Sequence, residues 1–559
     1  MQAIITNRNI QLTFVGIVLF IFLLGNYQFS LWDNSEAITA LQAQQIIQTK
    51  NWTPLFTSLS EGITSHPLQI WETALSYKIF GINEFATRFP AMIYTILSLV
   101  VLLYFVRNSH DEKTAIVAII ILSTSFLLPT LAKINIAESG LLFYSTVMFG
   151  AFAASLKNKN ILLTIFFWLA AILSTFHSGF VAIIPFAGTW ILLFIIKKDW
   201  RKALFNIQPY LILLTIIPII AWAVINKADS VAANHSVVNF NYITTSTSVN
   251  IGRQTLLLLI GFLPWIALLP ASFVRLVKNI SKKDNNALLF GSWVVFGFVL
   301  YEFLPTSLQM PSVVIFPVIA ILMAQQFWNH NEACERFQNA PINEHLEIRI
   351  KKAKFQDENI MKTSQLLGII AVFVITFVLS MIGYSQGVGI LRTGFVGMIL
   401  WITSFIVAIG LYARNANLML SGAVAGGLLF VLFTYLLVIP VLEPARSFSK
   451  RTAAAINEIQ PNEHIYLYAN PENTPPSLPF YLNNIQTDNN KPTIHLNPTS
   501  DLSSRYLNDE NFTLVLDSQH YKALKENPNV DKSKLEKAIK IEGVSTTNRK
   551  AIIYRIIKK

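Results

Sequence analysis

The chain has a single cysteine, Cys334, among its 559 residues, so it contains no internal disulfide. Charge is scarce: Asp, Glu, Lys and Arg make up 13% of residues, about half the share usual in a soluble domain. That scarcity excludes a soluble enzyme, a disordered regulator and a fibre. No internal repeat is visible of the kind that builds a transporter from duplicated halves. The long apolar runs hold almost no ionisable side chain at mid-length, where a pump or flippase would need one. A net charge of +12 suggests a nucleic-acid partner. The positive charges lie instead in short loops between apolar runs, where they orient a membrane protein.

What the chain has in quantity is apolar mass, with 53% hydrophobic residues, 40 Phe and 11 Trp. A spanning helix needs roughly 20 apolar residues. Thirteen candidate spans are read, near 10–31, 90–106, 114–131, 140–156, 161–176, 179–196, 205–226, 254–274, 287–304, 311–325, 364–384, 392–413 and 418–442. The first run is too long for a signal peptide, and no small-residue cleavage site follows it. With the N-terminus in the cytoplasm, 20 Lys and Arg fall in cytoplasmic segments and 7 in the opposite loops. The remaining 16 follow residue 443, in a tail placed outside. The expected fold is an all-α polytopic membrane domain over 1–445 with an extracytoplasmic α/β domain over 446–559. Its strands are expected at His464–Ala469, Phe512–Asp517, Ala538–Val544 and Ala551–Ile556, with a polar helix near Lys532–Lys537. Within the outer loop 32–89, residues 35–49 and 67–80 read as amphipathic helices on the membrane surface. Loop 326–363 reads as a charged cytoplasmic segment.

Ionisable groups near membrane depth are costly and mark functional candidates. They gather at the outer ends of spans: Asp33, Glu36, His66, Lys133, Glu138, His177 and Glu302. Carboxylates and histidines at one depth could supply a general base and hold a divalent metal ion. The plainer reading is that such residues reach water from span ends, with Asp33 as an N-cap.

The stretch Leu31 to Gln45 (LWDNSEAITALQAQQ) resembles the first outer loop of the GT-C glycosyltransferases, in particular lipid A aminoarabinose transferases and protein O-mannosyltransferases. The likeness continues through Asn51-Trp52, Ser65-His66-Pro67, Leu75–Pro90 (LSYKIFGINEFATRFP), Lys133–Leu141, His177–Pro185 and Phe262–Pro270 (FLPWIALLP). The resemblance implies transfer of a sugar from a polyprenyl-phosphate carrier to a lipid, glycan or protein acceptor at the outer face of the inner membrane. It implies Asp33 or Glu36 as the catalytic carboxylate, His66 and Lys133 as donor-phosphate contacts, and Glu138 and His177 as supporting groups. Four positions depart from the family pattern. The family's Asp-Glu pair is Ser35-Glu36, its Glu-Lys-Pro is Ser65-His66-Pro67, an expected Asp is Glu138, and the Lys of its Lys-Gly turn is Ser178. These departures keep open a second reading, a relative without activity that binds a lipid-linked glycan or scaffolds an envelope complex.

Overall fold

The computed structural model describes residues 7–33, 35–52, 67–217, 220, 251–304, 308–339, 356–385 and 388–441. In the tail it describes 448–459, 464–469, 474–475, 477–484, 493–496, 502, 512–528, 535, 538–544 and 551–558. The chain divides into two compact units. The first comprises Met1–Leu24, His66–Gln69 and Arg88–Val438, and the second Gly25–Ser65, Ile70–Thr87 and Ile439–Lys559.

The first unit is helical. Among the described residues, seven stretches are long and apolar enough to cross a bilayer: 84–109, 161–196, 285–303, 311–335, 359–385, 390–412 and 416–441. An eighth candidate, 253–281, is bent by 110° between its two helices. The stretch 161–196 folds back on itself. The helix Ile161–Ser178 ends at Gly179, whose φ of +70° suits a residue without a side chain. The rings of Phe167 and Phe186 then lie 4.5 Å apart, where a straight helix would separate them by about 28 Å. Two of the read spans, 161–176 and 179–196, are thus the arms of a hairpin. The spans read at 114–131 and 140–156 correspond to the helices Glu112–Thr124, Leu127–Leu131 and Ala137–Ser155. Part of the span read at 205–226 lies outside the described residues. Four turns carrying the basic bias begin their next helix with a side-chain cap. Asp111, Asn160, Asp284 and Asn415 each accept an N–H of the first helical turn.

The second unit holds a five-stranded sheet in the order β2-β1-β3-β5-β4. The strands are β1 (His464–Tyr468), β2 (Thr493–Leu496), β3 (Phe512–Asp517), β4 (Ile539–Val544) and β5 (Ala551–Lys558). The first three are parallel, and β5 runs antiparallel to both β3 and β4. Side chains alternate along the strands. Tyr466, Tyr468, Phe512, Leu514 and Leu516 pack on one face with Leu524 and Leu535. Ile465, Leu467, Val515, Ile541 and Ile556 pack on the other with Phe448, Ile456, Leu478 and Phe480. The polar helix read at Lys532–Lys537 lies mostly outside the described residues.

That second face is completed from the far end of the sequence. Leu31, Ala40, Leu41, Ala43, Ile46, Ile70, Ala74, Tyr77 and Ala86 belong to the same core as the tail strands. The two loop helices form at Ser35–Thr49 and Pro67–Phe80, but the surface-helix expectation for the first is corrected. Residues 36–44 are buried on every side, including Glu36, Thr39, Gln42 and Gln44. Gln44 is hydrogen-bonded rather than solvated: its amide donates to Asn484 Oδ1 at 2.8 Å and accepts from Asn483 at 3.3 Å.

Candidate functional site

In the first unit, the polar residues read from the sequence gather around the start of the helix Ala137–Ser155. Glu138 lies in its first turn, where an anion is favoured by the exposed N–H groups. Its Oε1 accepts the backbone N–H of Gln309 at 2.8 Å and of Met310 at 3.1 Å, so it clasps the segment leading into 311–335. Gln254 clasps the same segment, donating to the Gln309 carbonyl at 3.3 Å and accepting from Ser312 Oγ at 2.7 Å. Glu302 accepts the Gly252 N–H and the Thr255 hydroxyl.

His177 lies in the last turn of the following helix, Ile161–Ser178, and turns its ring onto the same helix start. It meets Tyr94 and Tyr144 edge-on, with centroids 5.1 and 5.8 Å away, and the two tyrosine hydroxyls are hydrogen-bonded at 2.7 Å. Gly140 makes this approach possible, since a Cβ there would stand 2.3 Å from His177 Cε1. Glu138 and His177 are therefore brought together at one helix end.

Lys133 occupies the turn before that helix. Its ammonium donates to the carbonyls of Ile21, Phe22 (3.1 Å) and Leu24, closing the C-terminal end of the helix Arg8–Leu23. The Tyr435 ring lies 4.8 Å away. Burial, reinforced by the positive charge of Arg88, lowers its pKa to about 7. Arg88 is itself only 1% exposed. In the sequence, Arg88 is one of the seven basic residues assigned to the outer loops. Its place inside the family-like string Leu75–Pro90 was the available signal. Two mutually repelling cations held inside a protein form an environment that suits an anion.

The first-loop carboxylates lie in the second unit. Glu36, fully buried, accepts the Trp32 N–H at 2.8 Å in the first turn of its helix. Asp33 accepts both the backbone N–H (3.3 Å) and the hydroxyl of Ser477, and the Ser477 Oγ, its proton given to Asp33, accepts from the Ser449 hydroxyl at 2.7 Å. Nearby, Lys450 pairs with Glu84 at 2.6 Å, and Tyr481 bridges the Leu31 N–H and Glu84. Glu84, like Ser477 and Tyr481, was missed by sequence reasoning. Its partners lie more than 360 residues away. His66 lies outside the described residues. Among the described residues no three His, Cys, Asp or Glu side chains converge as a metal-binding set, so the divalent ion considered from the sequence has no assigned ligands here.

Residues 65–225 match the model of a family described as dolichyl-phosphate-mannose-protein mannosyltransferase. An undecaprenyl phosphate-alpha-4-amino-4-deoxy-L-arabinose arabinosyl transferase of Edwardsiella ictaluri is 25% identical over 326 residues, covering 53% of this chain and 55% of the relative. A protein of the same description from an Enterobacter species is 25% identical over 316 residues, with the same coverage. The chain thus spans about half the length of the curated relatives it matches. The crystal structure of ArnT from Cupriavidus metallidurans in the apo state aligns with a TM-score of 0.65 at 16% identity, over 98% of this chain and 97% of that one. The same protein bound to undecaprenyl phosphate aligns with a TM-score of 0.67 at 14% identity, over 98% of each chain. The chain is a multi-pass membrane protein similar to the aminoarabinose transferases, with the fold of ArnT.

Proposed function

We propose that the chain is a membrane glycosyltransferase that moves a sugar from a polyprenyl-phosphate carrier to a lipid, glycan or protein acceptor at the outer face of the inner membrane. A fold alone does not give a function. The observation that carries the reading is the buried pair Lys133 and Arg88, an anion-favouring environment in a chain shaped like a protein crystallised with undecaprenyl phosphate. In the reaction, an acceptor hydroxyl attacks the anomeric carbon. The bond from that carbon to the phosphate oxygen breaks, and the carrier leaves as polyprenyl phosphate. A first-loop carboxylate, Asp33 ahead of Glu36, takes the hydroxyl proton. Lys133, with His66, neutralises the phosphate. For this the Lys133 ammonium exchanges the carbonyls of Ile21, Phe22 and Leu24 for phosphate oxygens. Glu138 and His177 support the site by fixing the segment at 309–310 and the tyrosine pair. The reading includes thirteen spans, a cytoplasmic N-terminus, an extracytoplasmic tail and a domain boundary near 445.

Asp33→Asn and Glu36→Gln, purified and shown to be folded, test this against a polyprenyl-phosphate sugar. The base should cost about 10²–10⁴ in rate when removed. Activity in the wild type that survives in both variants would overturn the mechanism. One observation favours the inactive-relative reading: the Lys133 ammonium is taken up by the backbone carbonyls of Ile21, Phe22 and Leu24. That reading expects polyprenyl phosphate to bind with no sugar turnover.

A further inference from the structure

Asp33 receives two hydrogen bonds from one residue of the tail, the N–H and the hydroxyl of Ser477, and the hydroxyl is itself aligned by Ser449. Ser477 and Ser449 are each 1% exposed, and Asp33 is 7% exposed. The surrounding contacts fix the same stretch of chain. Leu31 donates its N–H to Tyr481 at 2.8 Å, and Gln44 is bonded to Asn483 and Asn484. The tail therefore sets where the Asp33 carboxylate stands.

We infer that Ser477, backed by Ser449, is a positioning residue that holds the Asp33 carboxylate for its work as a base. The C-terminal tail thus takes part in the reaction without supplying a reacting group. This rests on the transferase reading above. Donors to a carboxylate favour its charged form and so lower the pH at which it begins to accept protons. The other titratable groups around this network are Glu36, Glu84, Lys450, Tyr481, Asp517 and Tyr554, and all of them remain in the variants below.

Hydrogen bonds to charged groups are worth enough that Ser477→Ala should lower kcat about 10- to 100-fold. KM for the polyprenyl-phosphate sugar should stay unchanged. The acid limb of the kcat/KM profile should move up by about one pH unit or more. Ser477→Thr, which keeps both donors, should restore kcat and the limb. A Ser477→Ala protein that melts lower but keeps the wild-type kcat and acid limb would overturn the inference and leave Ser477 a packing residue. If Ser477→Ala fails to fold, Ser449→Ala should show a smaller shift of the same limb, and no shift there overturns the inference. Asp33→Asn separates the two claims. Full turnover in that variant removes Asp33 as the base, and this inference with it. Loss of turnover in Asp33→Asn with a wild-type profile in the serine variants overturns this inference alone. A wild type with no turnover removes both.

Discussion

Lys133 shows how one side chain can serve structure and chemistry together. Its ammonium closes a helix C-terminus, an interaction worth about 0.3–1 kcal/mol and more when buried. Its pKa near 7 means that the positive charge is present below neutral pH and is lost as pH rises through that value. Donor capture through this residue should therefore weaken from pH 6 to pH 8.5, read as a falling kcat/KM for the carrier-linked sugar. Lys133→Arg, charged throughout, should flatten that fall. A fall that persists unchanged in Lys133→Arg assigns the titration to another group. Gly140 offers a separate test of the His177 placement. Gly140→Ala should destabilise the protein by about 1–3 kcal/mol through overpacking. His177→Ala in the same chain should recover much of that loss, and a thermal midpoint indifferent to Gly140→Ala would contradict the packing. None of these contacts was legible in the sequence beyond residue type. Lys133 lies more than 100 residues from the carbonyls it meets.

At the scale of elements, local signals served well where the chain follows one rule at a time. Strand-like runs located β1 and β3, apolar residues gathered on one face located the helix at 35–49, and the leading Pro67 located the one at 67–80. β2 went unread because four residues, Thr493–Leu496, are too few for a period to emerge. The burial of residues 36–44 on all sides was also illegible. The second face of their helix is covered by residues more than 400 positions away, so a helix with spaced apolar residues looked like one lying on a membrane. A practical consequence concerns the tail. A fragment from residue 446 onward lacks Leu31, Leu41, Ile46, Ile70 and Tyr77 of its own core. Each buried side chain of this size contributes about 1.5–3 kcal/mol. Together they rival the about 5–15 kcal/mol that holds a whole domain. The isolated fragment should show no cooperative thermal transition. A sharp melt for that fragment alone would contradict the shared core. In the full chain, Ile46→Ala should cost about 2–5 kcal/mol.

For the whole molecule, composition and the basic-loop bias established a multi-pass protein, while the count of spans depends on short and bent elements. The fold-back at Gly179 and the 110° break within 253–281 show why hydropathy alone counts imperfectly. Reporter fusions should place the turn at Asn415 in the cytoplasm and Asn527 outside. Finding both on one side would remove the proposed orientation. The central claim is that the chain transfers a sugar from a polyprenyl-phosphate carrier. The direct measurement is mass spectrometry of lipid extracts after the purified protein is incubated with a polyprenyl-phosphate sugar and envelope acceptors. The account predicts free polyprenyl phosphate and glycosylated acceptor in equal amounts, both lost in Asp33→Asn. Binding of polyprenyl phosphate with neither product formed would contradict it.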